Sequence, residues 1–158
     1  MIHTRPNNGA SSEWLTPPDL LKALGKFDLD PCCPVGMPWR TARRQFTIRG
    51  LEREWKGRVF LNPPYGQQIG SWLAKLADHG DGIALVPART EVESWFWPLI
   101  WERADAVFFF RGRLYFRRLD GSKVGNAGHG SVLAAYGDRN TLSILNSGLA
   151  GRLIHLSR

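Results

Sequence analysis

The stretch Asn62-Pro63-Pro64-Tyr65 has residue types and an order that could do chemistry. A planar amino group conjugated to an aromatic ring is a poor nucleophile, because its lone pair is delocalised. Two acceptors, one for each N–H bond, favour a pyramidal nitrogen and localise that pair. The Asn62 side-chain oxygen offers one acceptor and the Pro63 carbonyl offers the other, since proline keeps its C=O while lacking an N–H. Consecutive prolines fix the turn and hold both acceptors with little entropy left to lose. Tyr65 supplies a flat face for a base, and chemistry on a duplex base requires flipping it out of the stack. The reaction this favours is in-line attack of an exocyclic amino nitrogen on an activated, cationic methyl donor. Asn-Pro-Pro is also a good turn former, so a rigid loop ending a strand is the competing reading.

Such a motif needs a strand to carry it. Arg58-Val59-Phe60-Leu61 is a short apolar run directly before Asn62, and ligand chemistry in open α/β sheets collects at the carboxyl ends of strands. Ile69, Trp72, Leu73 and Leu76 then fall at helical spacing until Gly80. Upstream, a helix starts at Thr16-Pro17-Pro18-Asp19, repeats Leu20, Leu21 and Leu24, and stops at Gly25. Phe27-Asp28-Leu29-Asp30 alternates and ends at Pro31, as a short strand does. Residues 33–57 carry no periodicity. Downstream, 82–87, 106–110, 114–116 and 131–136 read as strands, and 121–130 is a Gly-rich connection. The segment 91–103, with Trp95, Trp97 and Trp101, reads as a helix interrupted by Pro98. This order predicts a single-domain α/β fold, mostly parallel with antiparallel end strands, over 13–158 after a flexible lead-in at 1–12.

Lys and Arg outnumber Asp and Glu by 21 to 14, a net charge of +7 that favours polyanionic partners through counterion release. The excess is uneven. Arg40, Arg43, Arg44, Arg49, Arg53, Lys56 and Arg58 face only Glu52 and Glu54 within 39–58; Arg111, Arg113, Arg117, Arg118 and Lys123 face only Asp120 within 111–123. A charge run is also what a solvated face looks like. The two cysteines, Cys32 and Cys33, are adjacent, which suits neither a relaxed disulfide nor a zinc site and points to a reducing interior with no metal. No apolar run reaches the ~18 residues of a membrane span, and the N-terminus is polar without a signal-peptide core. The expectation is a soluble, cytoplasmic protein without a membrane partner.

The chain resembles the phage-type (Dam-like) DNA N6-adenine methyltransferases from about Glu13 to Tyr136. The resemblance lies in five blocks in family order: Glu13-Trp14-Leu15-Thr16-Pro17-Pro18, Phe27-Asp28-Leu29-Asp30-Pro31-Cys32, Trp55 to Gly66, Leu85-Val86-Pro87-Ala88-Arg89-Thr90 and Arg111-Gly112-Arg113-Leu114. It implies a reduced Rossmann-like class I methyltransferase fold, S-adenosylmethionine as donor and adenine N6 in single- or double-stranded DNA as acceptor. It implies Asn62, Pro63, Pro64 and Tyr65 as the catalytic motif. It also implies Trp14, Thr16, Pro17, Asp30, Pro31 and Cys32 as cofactor contacts. Thr16 can offer its hydroxyl to the donor's carboxylate, helped by the dipole of the following helix, and Asp30 can pair with the ammonium group. A helix cap and a strand-end turn are the structural readings of these two residues.

Arg89, Thr90, Trp95, Arg111, Arg113, Arg117 and Arg118 read as DNA contacts, and phosphate contacts position a duplex without specifying sequence. For any single arginine, a solvated charge is an equal reading. His129, in Gly128-His129-Gly130, can close over the target base or be incidental. The chain departs from the general pattern twice. Cys33-Pro34-Val35-Gly36 stands in place of a Gly-rich loop, and the ribose-binding acid is unassigned, with Glu52 and Glu54 the candidates. With no carboxylate in the motif, the released proton leaves to solvent. The short chain leaves no room for a large recognition region, so specificity is relaxed or read by 33–57 and 117–130. Cytosine-N4, RNA-adenine and glutamine side-chain methylation use the same tetrad chemistry, and a DNA-binding module without catalysis is the alternative from another class.

Overall fold

The computed structural model describes residues 14–124 and 128–157; the lead-in at 1–12 lies outside them. Among the described residues, seven strands form one mixed sheet in the order β2-β1-β3-β4-β6-β5-β7. The strands are β1 (Leu29–Asp30), β2 (Arg44–Gln45), β3 (Val59–Leu61), β4 (Gly82–Pro87), β5 (Ala106–Phe110), β6 (Ser131–Tyr136) and β7 (Gly151–His155). Three α-helices accompany them: α1 (Pro18–Leu24), α2 (Ile69–His79) and α3 (Asp138–Leu145), with a single π-helical turn at Trp97–Trp101.

β2, β1, β3 and β4 pair in parallel, while β6 is antiparallel to both β4 and β5, and β7 is antiparallel to β5. Five strands therefore point one way. The fold is α/β as the sequence predicts, but the antiparallel strands do not simply cap an end: β6 is inserted between β4 and β5. Its burial explains this. Every residue of β6 is buried, which suits a strand covered on both faces, whereas β7 exposes four of its five residues and takes the edge.

One sheet face packs on α2 and the π turn through Leu73, Leu76, Phe96 and Ile100; the other packs on α1 and α3 through Leu20, Leu24 and Ile144. α2 forms where Ile69, Trp72, Leu73 and Leu76 share one buried stripe, and it stops at Gly80, whose φ of 76° gives the left-handed cap that a glycine adopts without a Cβ penalty. Pro98 lies in the first turn of the π segment, where its missing N–H removes no internal bond, so it opens that turn and does not interrupt a longer helix.

The predicted strand at 114–116 is absent. Both ladders of β5 are taken, by β6 and β7, so the chain leaves the sheet after Phe110. It builds a hairpin instead, with Val124 N–H bonded to Phe116 O at 2.9 Å and Arg118 N–H to Ser122 O at 2.9 Å. Leu15 then joins through reciprocal bonds with Arg117 of 2.8 and 2.9 Å, which ties the 14–16 segment to this hairpin. β2, inside the segment read as aperiodic, and α3 and β7 were not anticipated.

The strand directions define two edges. At one lie the carboxyl ends of β1 to β5 and the amino ends of β6 and β7, so Asp30, Asn62, Arg89, Arg111 and His129 all border it. The chain order also turns there: β2 lies on one side of β1 and β3 on the other. Such a switch point leaves a crevice between neighbouring strand ends, the usual ligand position in open α/β sheets.

Candidate active site

Asn62 follows the last residue of β3, and its side chain crosses to the N-terminal segment. Nδ2 donates to Thr16 Oγ1 at 3.0 Å and to Trp14 O at 3.4 Å. A main-chain carbonyl only accepts, so the NH2 end of the amide must face it and Oδ1 must face away. Among the described residues Oδ1 receives no hydrogen bond, and neither does the Pro63 carbonyl. Two neighbouring acceptors without donors thus stand at the switch point.

Thr16 is buried, and its oxygen is engaged by Asn62; it does not cap α1, where Pro17 occupies the capping position. Trp39 Nε1 donates to Thr16 O at 3.1 Å, fixing this segment from the β1–β2 loop. The Trp14 ring lies edge-on to Phe116, with centroids 5.4 Å apart. The Pro17 carbonyl accepts from Leu20 and Leu21 N–H, so that proline serves the first turn of α1.

Asp30 is buried, 3% exposed, and has no cationic partner among the described residues. Its Oδ1 accepts from Cys32 N–H at 3.0 Å and its Oδ2 from Thr41 Oγ1 at 2.5 Å. Burial pushes its carboxyl up to about 6, against the lowering effect of those bonds. The Cys32 thiol is raised to about 12, first by burial and then by the Asp30 charge and Cys33, which leaves it unreactive. Behind this group, Gln45 receives the Thr41 N–H at 3.2 Å and donates to Cys33 Sγ at 3.3 Å. A Cβ on Gly50 would stand 1.8 Å from Pro31 O, so only glycine allows the 46–58 segment to close on the β1 end.

Tyr65 packs against the apolar cluster under α2, and its ring meets His129 at 5.7 Å in an edge-to-face arrangement. Its hydroxyl is enclosed and, among the described residues, without a hydrogen-bond partner, and burial raises its pKa. His129 Nδ1 lies 3.1 Å from Gly130 O within its own loop, and the ring contact with Tyr65 is what puts the imidazole beside the tetrad.

The predicted DNA contacts divide. Arg111, Arg113 and Arg118 are exposed, and among the described residues their side chains make no hydrogen bond or ion pair. Arg117 donates to Gly121 O at 3.4 Å, while its Nε is buried without a partner among the described residues. Arg89 is exposed beside Glu91 at 3.5 Å. Thr90 and Trp95 are built into the fold: Thr90 O accepts the Trp101 indole N–H at 3.0 Å, and Trp95 packs on Phe96. At the opposite edge the cations are matched by acids, Arg103 with Asp78 and Arg139 with Asp81. Arg58, counted with the basic run, is 8% exposed and interior.

Thr41, Trp39 and Gln45 carry positioning contacts that sequence reading did not single out; they sit in the aperiodic segment 33–57. Among the described residues no group of His, Cys, Asp and Glu could hold a metal ion, and no helix is long and apolar enough to cross a membrane. No protein-family model, curated protein or solved structure matches the chain.

Proposed function

We propose that this chain is an S-adenosylmethionine-dependent methyltransferase acting on the N6 amino group of adenine in DNA. The observation that carries the reading is the fixed amide of Asn62. Its NH2 end is held by Trp14 and Thr16, so Oδ1 and the neighbouring Pro63 carbonyl stand as two acceptors for the two N–H bonds of one amino group. The five-block resemblance and the unpaired guanidinium groups at the same edge support the choice of DNA.

The chain's own groups fit the proposed donor. A buried, cation-free carboxylate at Asp30 suits an ammonium group, and the Thr16 hydroxyl, already accepting from Asn62, keeps its proton to donate to a carboxylate. S-adenosylmethionine, when bound, supplies an electrophilic methyl group on a sulfonium centre. Asn62 and Pro63 hold the amino nitrogen with its lone pair localised, and Pro64 keeps the turn rigid. Tyr65, flanked by His129, offers the stacking face. No carboxylate of the tetrad receives the amino proton, which passes to solvent.

Transfer of a labelled methyl group to oligonucleotides, with mass-spectrometric identification of the modified base, tests the proposal. N6-methyladenine should form, and Asn62→Ala should lower the rate by at least about a hundredfold. Donor binding by calorimetry should survive that change. Transfer persisting in Asn62→Ala would overturn the assignment.

A further inference from the structure

Beyond the arginines near β4 and β5, a second set of cations lies at the far edge of the sheet. β2 is the edge strand on that side, with only β1 as its neighbour. Arg44 and Arg53 both lie over the ring of Phe46, their guanidinium carbons 5.3 and 3.8 Å from its centroid. Phe46 itself is buried, so the ring is a fixed seat that orients both side chains. Both arginines are exposed, and among the described residues neither pairs with a carboxylate. The local acids are engaged elsewhere: Glu52 with Arg49 at 2.7 Å and Glu54 with Lys56 at 3.8 Å.

The backbone that carries Arg53 is pinned. Lys75 Nζ, from α2, donates to Leu51 O at 2.8 Å and Arg53 O at 2.6 Å, while Trp55 Nε1 donates to Gly50 O at 2.8 Å. Two cations are thus held in place with no acidic partner among the described residues, which is an arrangement suited to an external polyanion. Guanidinium groups match phosphate oxygens in a planar fork, and prior ordering lowers the entropy lost on contact. β2 stands two strands from β3, about 10 Å away by ladder spacing. Duplex DNA carries roughly six phosphates over that length.

We infer that the β2 edge is a docking surface for the DNA backbone flanking the target base, with Arg44 and Arg53 as phosphate contacts. The inference rests on the proposed DNA substrate. It gives the 33–57 segment a role in gripping the duplex, on the side of Asn62 opposite to Arg89 and Arg111.

The test is the salt dependence of binding to a duplex of about 20 base pairs, for the full chain and for Arg44→Gln/Arg53→Gln. Each lost phosphate contact lowers the slope of log K against log salt by about 0.9, so the double variant should lose about two. The charge-preserving pair Arg44→Lys/Arg53→Lys should keep the slope, which separates charge from packing on Phe46. A slope unchanged in the glutamine pair overturns the inference. So does wild-type binding to vesicles of phosphatidylserine that the glutamine pair loses while duplex binding is retained. Methyl transfer read in parallel keeps the two proposals apart: a reduced slope without any transfer sinks the catalytic reading and leaves the docking surface standing.

Discussion

The Asn62 amide and the Thr16 hydroxyl are hydrogen-bonded at 3.0 Å although 46 residues separate them in the chain. The bond fixes which end of the amide faces the crevice. It also joins the element expected to meet the methyl donor to the one expected to hold the target amine. Thr16→Val keeps the shape and removes the acceptor, leaving Asn62 only the longer bond to Trp14 O. The turnover number for methyl transfer should fall about ten- to a hundredfold, while Thr16→Ser should restore it. A valine variant with wild-type turnover would show that Asn62 needs no such hold.

Asp30 makes the site sensitive to pH. Its carboxyl is raised from 3.8 to about 6 by burial, so the folded chain keeps this proton where the unfolded chain has lost it. The stability it contributes is fully present below pH 3.8 and is lost as pH rises through about 6. Relative to Asp30→Asn, which does not titrate, wild type should lose about 3 kcal/mol across that window, measured by urea unfolding. A ligand ammonium favours the ionised form, so donor affinity should rise with pH up to about 6 and then level off, and in Asp30→Asn it should be weak and flat. Parallel stability profiles for the two proteins would remove the buried-acid account.

Arg58 should behave as a structural residue despite its place in the basic run. Its Nε donates to Asn140 Oδ1 at 2.7 Å, its Nη1 to Lys26 O at 3.0 Å, and its Nη2 to Leu24 O at 3.0 Å and Ser143 Oγ at 2.8 Å. These bonds tie α1, β3 and α3 at the edge away from the site. Arg58→Met leaves the buried Asn140 Oδ1 without its donor and removes the bonds to Lys26 O and Ser143 Oγ, while Leu24 O keeps the Ser143 hydroxyl, a loss of about 3 kcal/mol, or roughly 6–12 °C in thermal midpoint. The salt slope of DNA binding should not change. A variant of normal stability with a reduced slope would reassign Arg58 to the DNA-binding surface.

These contrasts show which physics a sequence carries. α2, β4 and β6 were legible because Trp72, Leu73, Leu85 and Leu133 belong to apolar patterns with a definite period or run. β2 was not: Arg44 and Gln45 are polar, and the strand exists because β1 offers it a backbone ladder. β7 is exposed along its length and is likewise defined by its neighbour β5. Leu114 to Phe116 look like a strand, yet both ladders of the preceding strand β5 are already taken. In the site, Asn62 and Tyr65 announced themselves by type and spacing. Thr41 and Trp39 did not, because their roles come from Asp30 and Thr16, residues 11 and 23 positions away that only the fold brings near.

Tyr65 offers a test in which stability and function move in opposite directions. The residue keeps some exposed surface, but its hydroxyl is enclosed without a partner among the described residues. A buried hydroxyl in that state costs about 1–3 kcal/mol relative to a satisfied one. Tyr65→Phe should therefore raise the stability of the free protein by about 1 kcal/mol, seen as roughly 2–4 °C in thermal midpoint. The ring that meets His129 is retained, so stacking on a base survives. If the hydroxyl is held in reserve for a bound group, the same variant should lose several-fold in methyl transfer or donor affinity while becoming more stable. A loss of stability in Tyr65→Phe would mean that the hydroxyl is already satisfied, and it would remove Tyr65 Oη from the candidate site.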